Sequence, residues 1–479
     1  MEGAYRMPGR EVGLALLGLF ALAGCASVDL SAGFPEVSAA VEERYAAKIA
    51  WNPGTELDKE AAEKLRSLLQ RKLTGDDAVQ IALLSNRDLQ AIYADLGVAQ
   101  ADLVQAGLFR NPVLDAAVAF HLGPVRPDLQ FGVVFSVLDA LYVPLRKRVA
   151  AARFGEAKLR VTGAVLDSVL QVRAAFYEHQ ANEQLQELRE TVVRALAASF
   201  EVSRRLHDAG NITDLDLARD RAAMEASKIE LRSAEVTARQ SRERLNSLMG
   251  LSGSETEWEI ERRLPDIAAE PPEVRDIERS AVARSIDLAH ARQRLTSAGQ
   301  QLRYDRAAAL IPATELGVGA EKESDEPWGV GPSVTIPIPV FDQGQARVAR
   351  AATELRRAQQ EYYALAVRIR ATARAVRERL RGAQDRALYY RDIVLPLQER
   401  IVNEAQLQYN AMQIGIFHLL RDRQQQIESG VAYVEALREY WLARAELVHV
   451  ASGRLPISNG FRPGGPGGKG KAKEGENGD

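Results

Sequence analysis

One residue pattern occurs twice in this chain, and it limits the fold more than any other feature. Asp88-Leu89 with Leu96, Ala99 and Leu103 returns as Asp287-Leu288 with Leu295, Ala298 and Leu302. Val149-Ala150-Ala151-Ala152 returns as Val348-Ala349-Arg350-Ala351, and Leu217-Ala218-Arg219-Asp220-Arg221 as Leu419-Leu420-Arg421-Asp422-Arg423. Three separate anchors hold nearly one offset of about 200 residues, so the chain is a tandem of two similar halves. The halves are expected at 73–265 and 266–455.

Each half runs in the same order. A helix opens the first half: Thr74-Gly75-Asp76-Asp77 reads as a capping box, with apolar residues at helical spacing up to Phe109. Proline marks a break at Asn111-Pro112 and again at Ile311-Pro312. Alternating segments follow. Leu114, Ala116, Val118 and Phe120 form one, and Leu129, Phe131, Val133 and Phe135 form the next, across a loop holding Gly123 and Pro124. The later copy is weaker: Leu316 and Val318, an acidic loop from Glu321 to Glu326, then Val334, Ile336 and Ile338. Alternation at period two over about 8 to 10 residues suits a transmembrane barrel strand, and equally a soluble hairpin packed on helices.

After the strands the pattern turns strongly helical. Leu145 to Ala209 holds no proline and only Gly155 and Gly163. Some 60 helical residues reach about 90 to 100 Å, a length that no compact domain needs. Ala209-Gly210-Asn211-Ile212-Thr213 breaks the rod and a second helix returns from Asp214 to Met249. The later copy runs from Gln345 to Asn410, turns over Met412, Gln413, Ile414 and Gly415, and returns to Ala451. Gly210 and Gly415 are the expected positive-φ turn residues. Pro396 removes a backbone donor and predicts a kink.

Catalysis finds little to stand on. The six histidines are scattered, with no pair at metal-ligand spacing. There is no phosphate-binding glycine loop. The carboxylates lie among arginines at helical spacing, the pattern of solvated helix faces. No cofactor and no metal site are expected, and a formal charge of −3 gives no sign of nucleic-acid binding.

The first residues read as a targeting segment. Arg6 and Arg10 precede an apolar run from Val12 to Ala23, and Leu22-Ala23-Gly24-Cys25 resembles the bacterial lipobox. Residues 1–24 are then a signal peptide, and Cys25, the single cysteine, is the acylation site and mature N-terminus. Ala26 stands where an Asp would favour inner-membrane retention, so the outer membrane is expected. Residues 25–72 read as a lipidated linker with a short helix, and 456–479 as a disordered Gly-, Pro- and Lys-rich tail. Beyond this segment no run approaches the roughly 20 apolar residues of a spanning helix. Any crossing of a membrane falls to the strands, and four strands with open edges cannot close in lipid unless several copies share one barrel.

With these residues in view, the chain resembles the TolC family of outer-membrane efflux and secretion factors, in its lipoprotein subtype. The resemblance rests on the lipobox, the duplicated order, Thr74 to Asn86, the stretch Ala209 to Leu217, Pro337-Ile338-Pro339-Val340-Phe341-Asp342 and Val394-Leu395-Pro396. It covers roughly Leu73 to Leu455. The resemblance implies a mainly α fold with a small transmembrane β part. Three chains would form a 12-stranded β-barrel on a long α-helical barrel. It also implies a passive exit duct for small molecules, metals or polypeptides. The implied partners are a periplasmic adaptor at the hairpin turns and an inner-membrane pump, of RND or type I secretion class. Where relatives place rings of aspartate past the turn, this chain has His418, Arg421 and Asp422, with Asp216 as a first-repeat counterpart. The competing reading is a periplasmic coiled-coil lipoprotein or adaptor without a barrel.

Overall fold

The computed structural model describes residues 27–51, 56–120, 126–136, 138–267, 276–310, 314–323 and 326–456. Cys25, the loop residues Gly123 and Pro124, the Ile311-Pro312 break and almost all of the tail lie outside them. In chain order the elements are α1 (Phe34–Tyr45), α2 (Glu56–Leu69), α3 (Gly75–Ser85), α4 (Arg87–Gly107), β1 (Val113–Ala119) and β2 (Asp128–Phe135). Next come α5 (Asp139–Asp208), α6 (Asp214–Met249), α7 (Ile277–Ala283), α8 (Ile286–Leu310), β3 (Glu315–Lys322) and β4 (Gly329–Thr335). The chain ends in α9 (Gln345–Tyr389), α10 (Leu395–Asn410) and α11 (Ile416–Ala451). The expected order of helix, strand pair and long helical hairpin therefore occurs twice.

The chain divides into two compact units. One holds Ala94–Ala157 and Gln293–Arg356, hence all four strands. They form a single antiparallel sheet in the order β1-β2-β3-β4, so the two halves of the chain meet across β2 and β3. Two strand limits differ from the alternation. β3 continues through Glu321 and Lys322, and β4 spans Gly329 to Thr335, leaving Ile336 and Ile338 beyond it. Cross-strand pairing sets these limits, because Glu321 pairs with both Gln130 and Gly329.

The other unit holds Pro35–Tyr93, Lys158–Arg292 and the chain from Arg357 onward. The capping box at the start of α3 forms as its sequence indicates: the Thr74 hydroxyl accepts from the Asp77 N–H, and the Asp77 carboxylate accepts from the Thr74 N–H. The helix expected to run unbroken to Phe109 instead breaks at Asn86, whose backbone is extended. Its Oδ1 accepts from the N–H groups of Asp88 at 2.8 Å and Leu89 at 3.2 Å, capping α4. The second repeat breaks in the same way, with Ser285 Oγ accepting from the Leu288 N–H at 3.0 Å. Each break is abutted by a left-handed glycine that ends the repeat's last helix. A Cβ on Gly250 would lie 2.8 Å from the Ser85 carbonyl oxygen, and one on Gly453 only 2.0 Å from that of Arg284. Any side chain would force those helix ends apart.

α5 holds 70 residues and starts at Asp139, ahead of Pro144. The disturbance expected at Pro396 is a π turn over Tyr390–Val394, in which the Leu395 N–H bonds to the Tyr390 carbonyl. Pro396 has no N–H for the Asp392 carbonyl, so the ladder is free to widen there. Helices α9 and α11 bury Ile369, Ala373, Val376, Leu380, Ala383 and Ala387 against Ala436, Leu437, Tyr440, Ala443 and Leu447. Helical spacing puts each set on one helix face.

A buried ion cluster joins the two repeats in this unit. Arg454 donates to both oxygens of Asp167 on α5, at 2.9 and 2.6 Å, and to Asp287 on α8. The Leu455 N–H adds a bond to Asp287 at 2.9 Å. Burial works to raise the pKa of Asp167, but the bonds from Arg454, with His449 nearby at 3.5 Å, outweigh it and hold the group below the usual carboxylate range. Burial dominates at Asp287 and pushes it up, with Arg454 offsetting part. Removing the shared cation strands two buried carboxylates. Arg454→Met is therefore expected to destabilise this unit by about 3 to 5 kcal/mol, and adding Asp167→Asn and Asp287→Asn to recover a large part of it. Chemical denaturation of the three proteins checks this; an Arg454→Met midpoint equal to that of the parent would contradict it.

Candidate functional site

The pairing register sorts the sheet residues onto two unlike faces, since directly paired residues point the same way. One face carries Leu114, Ala116 and Val118; Leu129, Phe131, Val133 and Phe135; Leu316, Val318 and Ala320; and Val330, Pro332 and Val334. Only Lys322, at one strand end, is charged there. The other face carries Asp115, Asp128, Gln130, Glu315, Glu321, Ser333 and Thr335, with five glycines and a few small apolar residues. No Lys or Arg in the strands points to that face. Both faces are open among the described residues: Leu114 is 71% exposed on the apolar face and Val113 56% on the other. Trp328, just before β4, stacks at 6.1 Å on Phe131 of the apolar face. The alternation pointed to the apolar face of β1 and β2. The acidic character of the opposite face needs the register, because its carboxylates come from β1 and β2 and from the distant β3.

The two hairpin turns are built on one plan with different residues. In the first, the Gly210 and Asn211 N–H groups bond back to the His207 and Leu206 carbonyls, both at 2.8 Å, and Gly210 has φ +77°. Thr213 caps α6, accepting from the Asp216 N–H and donating to its carboxylate at 2.8 Å. His207 Nε2 meets Asp214 Oδ1 at 2.7 Å across the turn, and that bond raises the pKa of His207. In the second turn the Met412 and Gln413 N–H groups close onto Tyr409 and Gln408, both at 2.9 Å. The positive φ expected at Gly415 lies instead at Met412, at +58°, while Gly415 is extended at −76° and occupies the N-cap of α11. The left-handed residue belongs where the last carbonyls of the helix need donors, and that position is Met412. A non-glycine residue held there costs about 1 to 2 kcal/mol, and the Met412 side chain stands 93% exposed.

The gate candidates divide. His418 and Arg421 lie exposed on the first turns of α11, and Asp422 is half-buried beside them. Asp216 is engaged in the Thr213 cap and lies 3.6 Å from Arg219, so its carboxylate serves the turn. Cys25 is outside the described residues. Among the described residues no group of three or more His, Cys, Asp and Glu is placed to hold a metal ion, and no helix is long and apolar enough to cross a membrane.

No family model matches the sequence. The chain is 22% identical over 384 residues to the cobalt-zinc-cadmium resistance protein CzcC of Cupriavidus metallidurans, covering 78% of this chain and 88% of that protein. Among solved structures, the outer membrane protein VceC of Vibrio cholerae is similar with a TM-score of 0.65 at 16% identity, over 79% of this chain and 96% of that one. The Campylobacter jejuni CmeC outer membrane channel gives 0.64 at 15%, over 83% and 88%. CusC, solved in a study of transmembrane channel formation, gives 0.63 at 14%, over 82% and 92%. Such low identities report a shared fold: this chain has the fold of the TolC-type outer-membrane channels.

Proposed function

We propose that the chain is the outer-membrane channel subunit of a tripartite efflux or type I secretion system, giving passive exit to its cargo. The sheet carries this reading. Among the described residues its apolar face has no covering layer, its polar face is open, and its outer strands β1 and β4 have no partner along their free edges. In lipid those edges must pair. Three copies, each joining β4 to the β1 of the next, give a closed and even-numbered barrel of about twelve strands. A coiled-coil lipoprotein or adaptor has no use for such a sheet. Acylation at Cys25 adds a second hold on the membrane, and several acyl chains anchor firmly. Native mass spectrometry of detergent-extracted protein is expected to give the mass of three chains, each starting at Cys25 with added lipid, and the same material to conduct in planar bilayers. A stable monomer without conductance would remove the channel.

The hairpin turns are proposed as the docking points for a periplasmic adaptor, with an inner-membrane pump of the RND type supplying cargo. Gly210, Asn211, Ile212 and Thr213 form one such point and Met412, Gln413, Ile414 and Gly415 the other. Cysteines placed at Asn211 or Gln413 are expected to crosslink to a co-expressed adaptor well above cysteines at mid-helix positions such as Ala226. Equal labelling would leave the turns as loops only.

Cargo reads as cationic before anionic. CzcC is a cobalt-zinc-cadmium resistance protein, and the polar sheet face here holds four carboxylates and no strand cation. The second hairpin is proposed to oppose this, with three His418 and three Arg421 side chains ringed under threefold symmetry. In salt-gradient bilayer recordings, Asp115→Asn with Glu321→Gln is expected to lower the preference for cations. His418→Asp is expected to raise it, because each chain then adds a carboxylate to that ring. Unchanged selectivity in His418→Asp across about pH 5 to 8 would take His418 out of the pore.

A further inference from the structure

The unit that holds the sheet also holds an open groove of about 730 Å³, between the end of α4, the early turns of α5 and the middle of α8. Arg110, Arg146 and Arg153 line it, and Asp102 is the one acid among its lining residues. Arg146 is fixed in place. Its Nη atoms donate to Asp139 at 2.6 and 3.1 Å and to the Leu108 carbonyl at 3.0 Å, while its Nε is buried with no hydrogen-bond partner. Arg110 Nε lies 3.6 Å from the same Asp139, so two guanidinium groups share one carboxylate. Arg153 donates only to the neutral Gln301 oxygen, at 3.2 Å. Three cations thus stand against one acid among the lining residues, with Asp139 beside Arg146 and Arg110 and Asp305 bound to Gln301.

The groove lies at a boundary. α4 runs into β1 through Arg110 and Asn111, and α5 begins just after β2, so the groove adjoins the end of the sheet where Val113 pairs with Val134. Large apolar side chains stand exposed at that junction: Phe109 at 69%, Leu141 at 58% and Leu310 at 83%. Tyr304 lines the groove and packs edge-on against Tyr142. An aromatic with a polar tip beside fixed arginines and bare apolar surface is the chemistry of a membrane-water interface.

We propose that this groove binds the phosphate headgroup of a phospholipid in the leaflet that borders the helical end of the sheet, its acyl chains lying over Phe109 and Leu310. Guanidinium groups pair with phosphate oxygens by two parallel charge-assisted bonds. A lining with more arginines than acids suits the negative charge of a phosphodiester. The proposal rests on the sheet being in the membrane, and the experiment separates the two.

Protein extracted in a non-ionic detergent is assayed by native mass spectrometry during titration with short-chain phosphatidylglycerol. Arg110→Gln/Arg153→Gln is the test variant, because both side chains are exposed and neither holds a buried carboxylate alone. Wild-type chains are expected to bind one phospholipid each. The double variant is expected to bind at least about tenfold more weakly, the loss of one charge-assisted contact or more. Inorganic phosphate in the millimolar range should not displace the lipid. Equal binding by variant and wild type overturns the site, and so does displacement by inorganic phosphate alone, which marks a free-anion site. A trimer that conducts but binds no phospholipid overturns the groove and leaves the channel standing. Failure to form a trimer overturns the channel itself.

Discussion

Backbone hydrogen bonding along β1 and β4 is the constraint on which the rest of this molecule depends. Each of these outer strands carries one row of N–H and C=O groups that no strand among the described residues meets. In water such edges invite pairing with whatever strand comes near, and in hydrocarbon each unpaired group costs several kcal/mol. A sheet normally also buries one face under a second layer. Here the apolar face from Leu114 to Val334 lies bare, and so does the face of carboxylates and glycines. Lipid on one side, water on the other and further copies at both edges satisfy all three demands together.

The helical unit is built on a different principle. Part of its apolar surface is buried within the chain, as in the cluster to which α9 and α11 contribute, and charges from both repeats pair inside it. Arg454 is the center of that pairing: it reaches an aspartate in the first repeat and one in the second. The capping residues Asn86 and Ser285 and the glycines Gly250 and Gly453 hold equivalent places in the two repeats. Duplication was thus kept in the helix breaks and chain reversals, where backbone geometry leaves few alternatives, while surface residues drifted apart.

That drift explains where local reasoning held and where it slipped. The capping box at Thr74, the hairpin turns and the disturbance near Pro396 follow from the chemistry of a few neighbouring residues, and each is present. The break at Asn86 was hidden because apolar spacing continues across it; an asparagine followed by Asp88 is an N-cap signal too weak to stand against that pattern. Gly415 drew the expected left-handed conformation because glycine tolerates it most easily, yet the carbonyls of α10 required it at Met412. Asp216, a pore candidate by its place after the turn, also takes part in the Thr213 cap, which the tertiary geometry makes visible.

By itself the sequence determined the repeat, the order of elements within it, the long helical hairpins and the apolar side of its first two strands. These rest on periodicities of 3.6 and 2 and on short-range capping, all contained in a window of a few residues. Only the tertiary structure decided that the two strand pairs share one sheet, that four carboxylates fall together on one face, and that Arg454 closes on Asp167 and Asp287. Each of these joins residues more than a hundred positions apart. A sequence window contains no term for such pairings, because their free energy appears only when loop closure has brought the partners together.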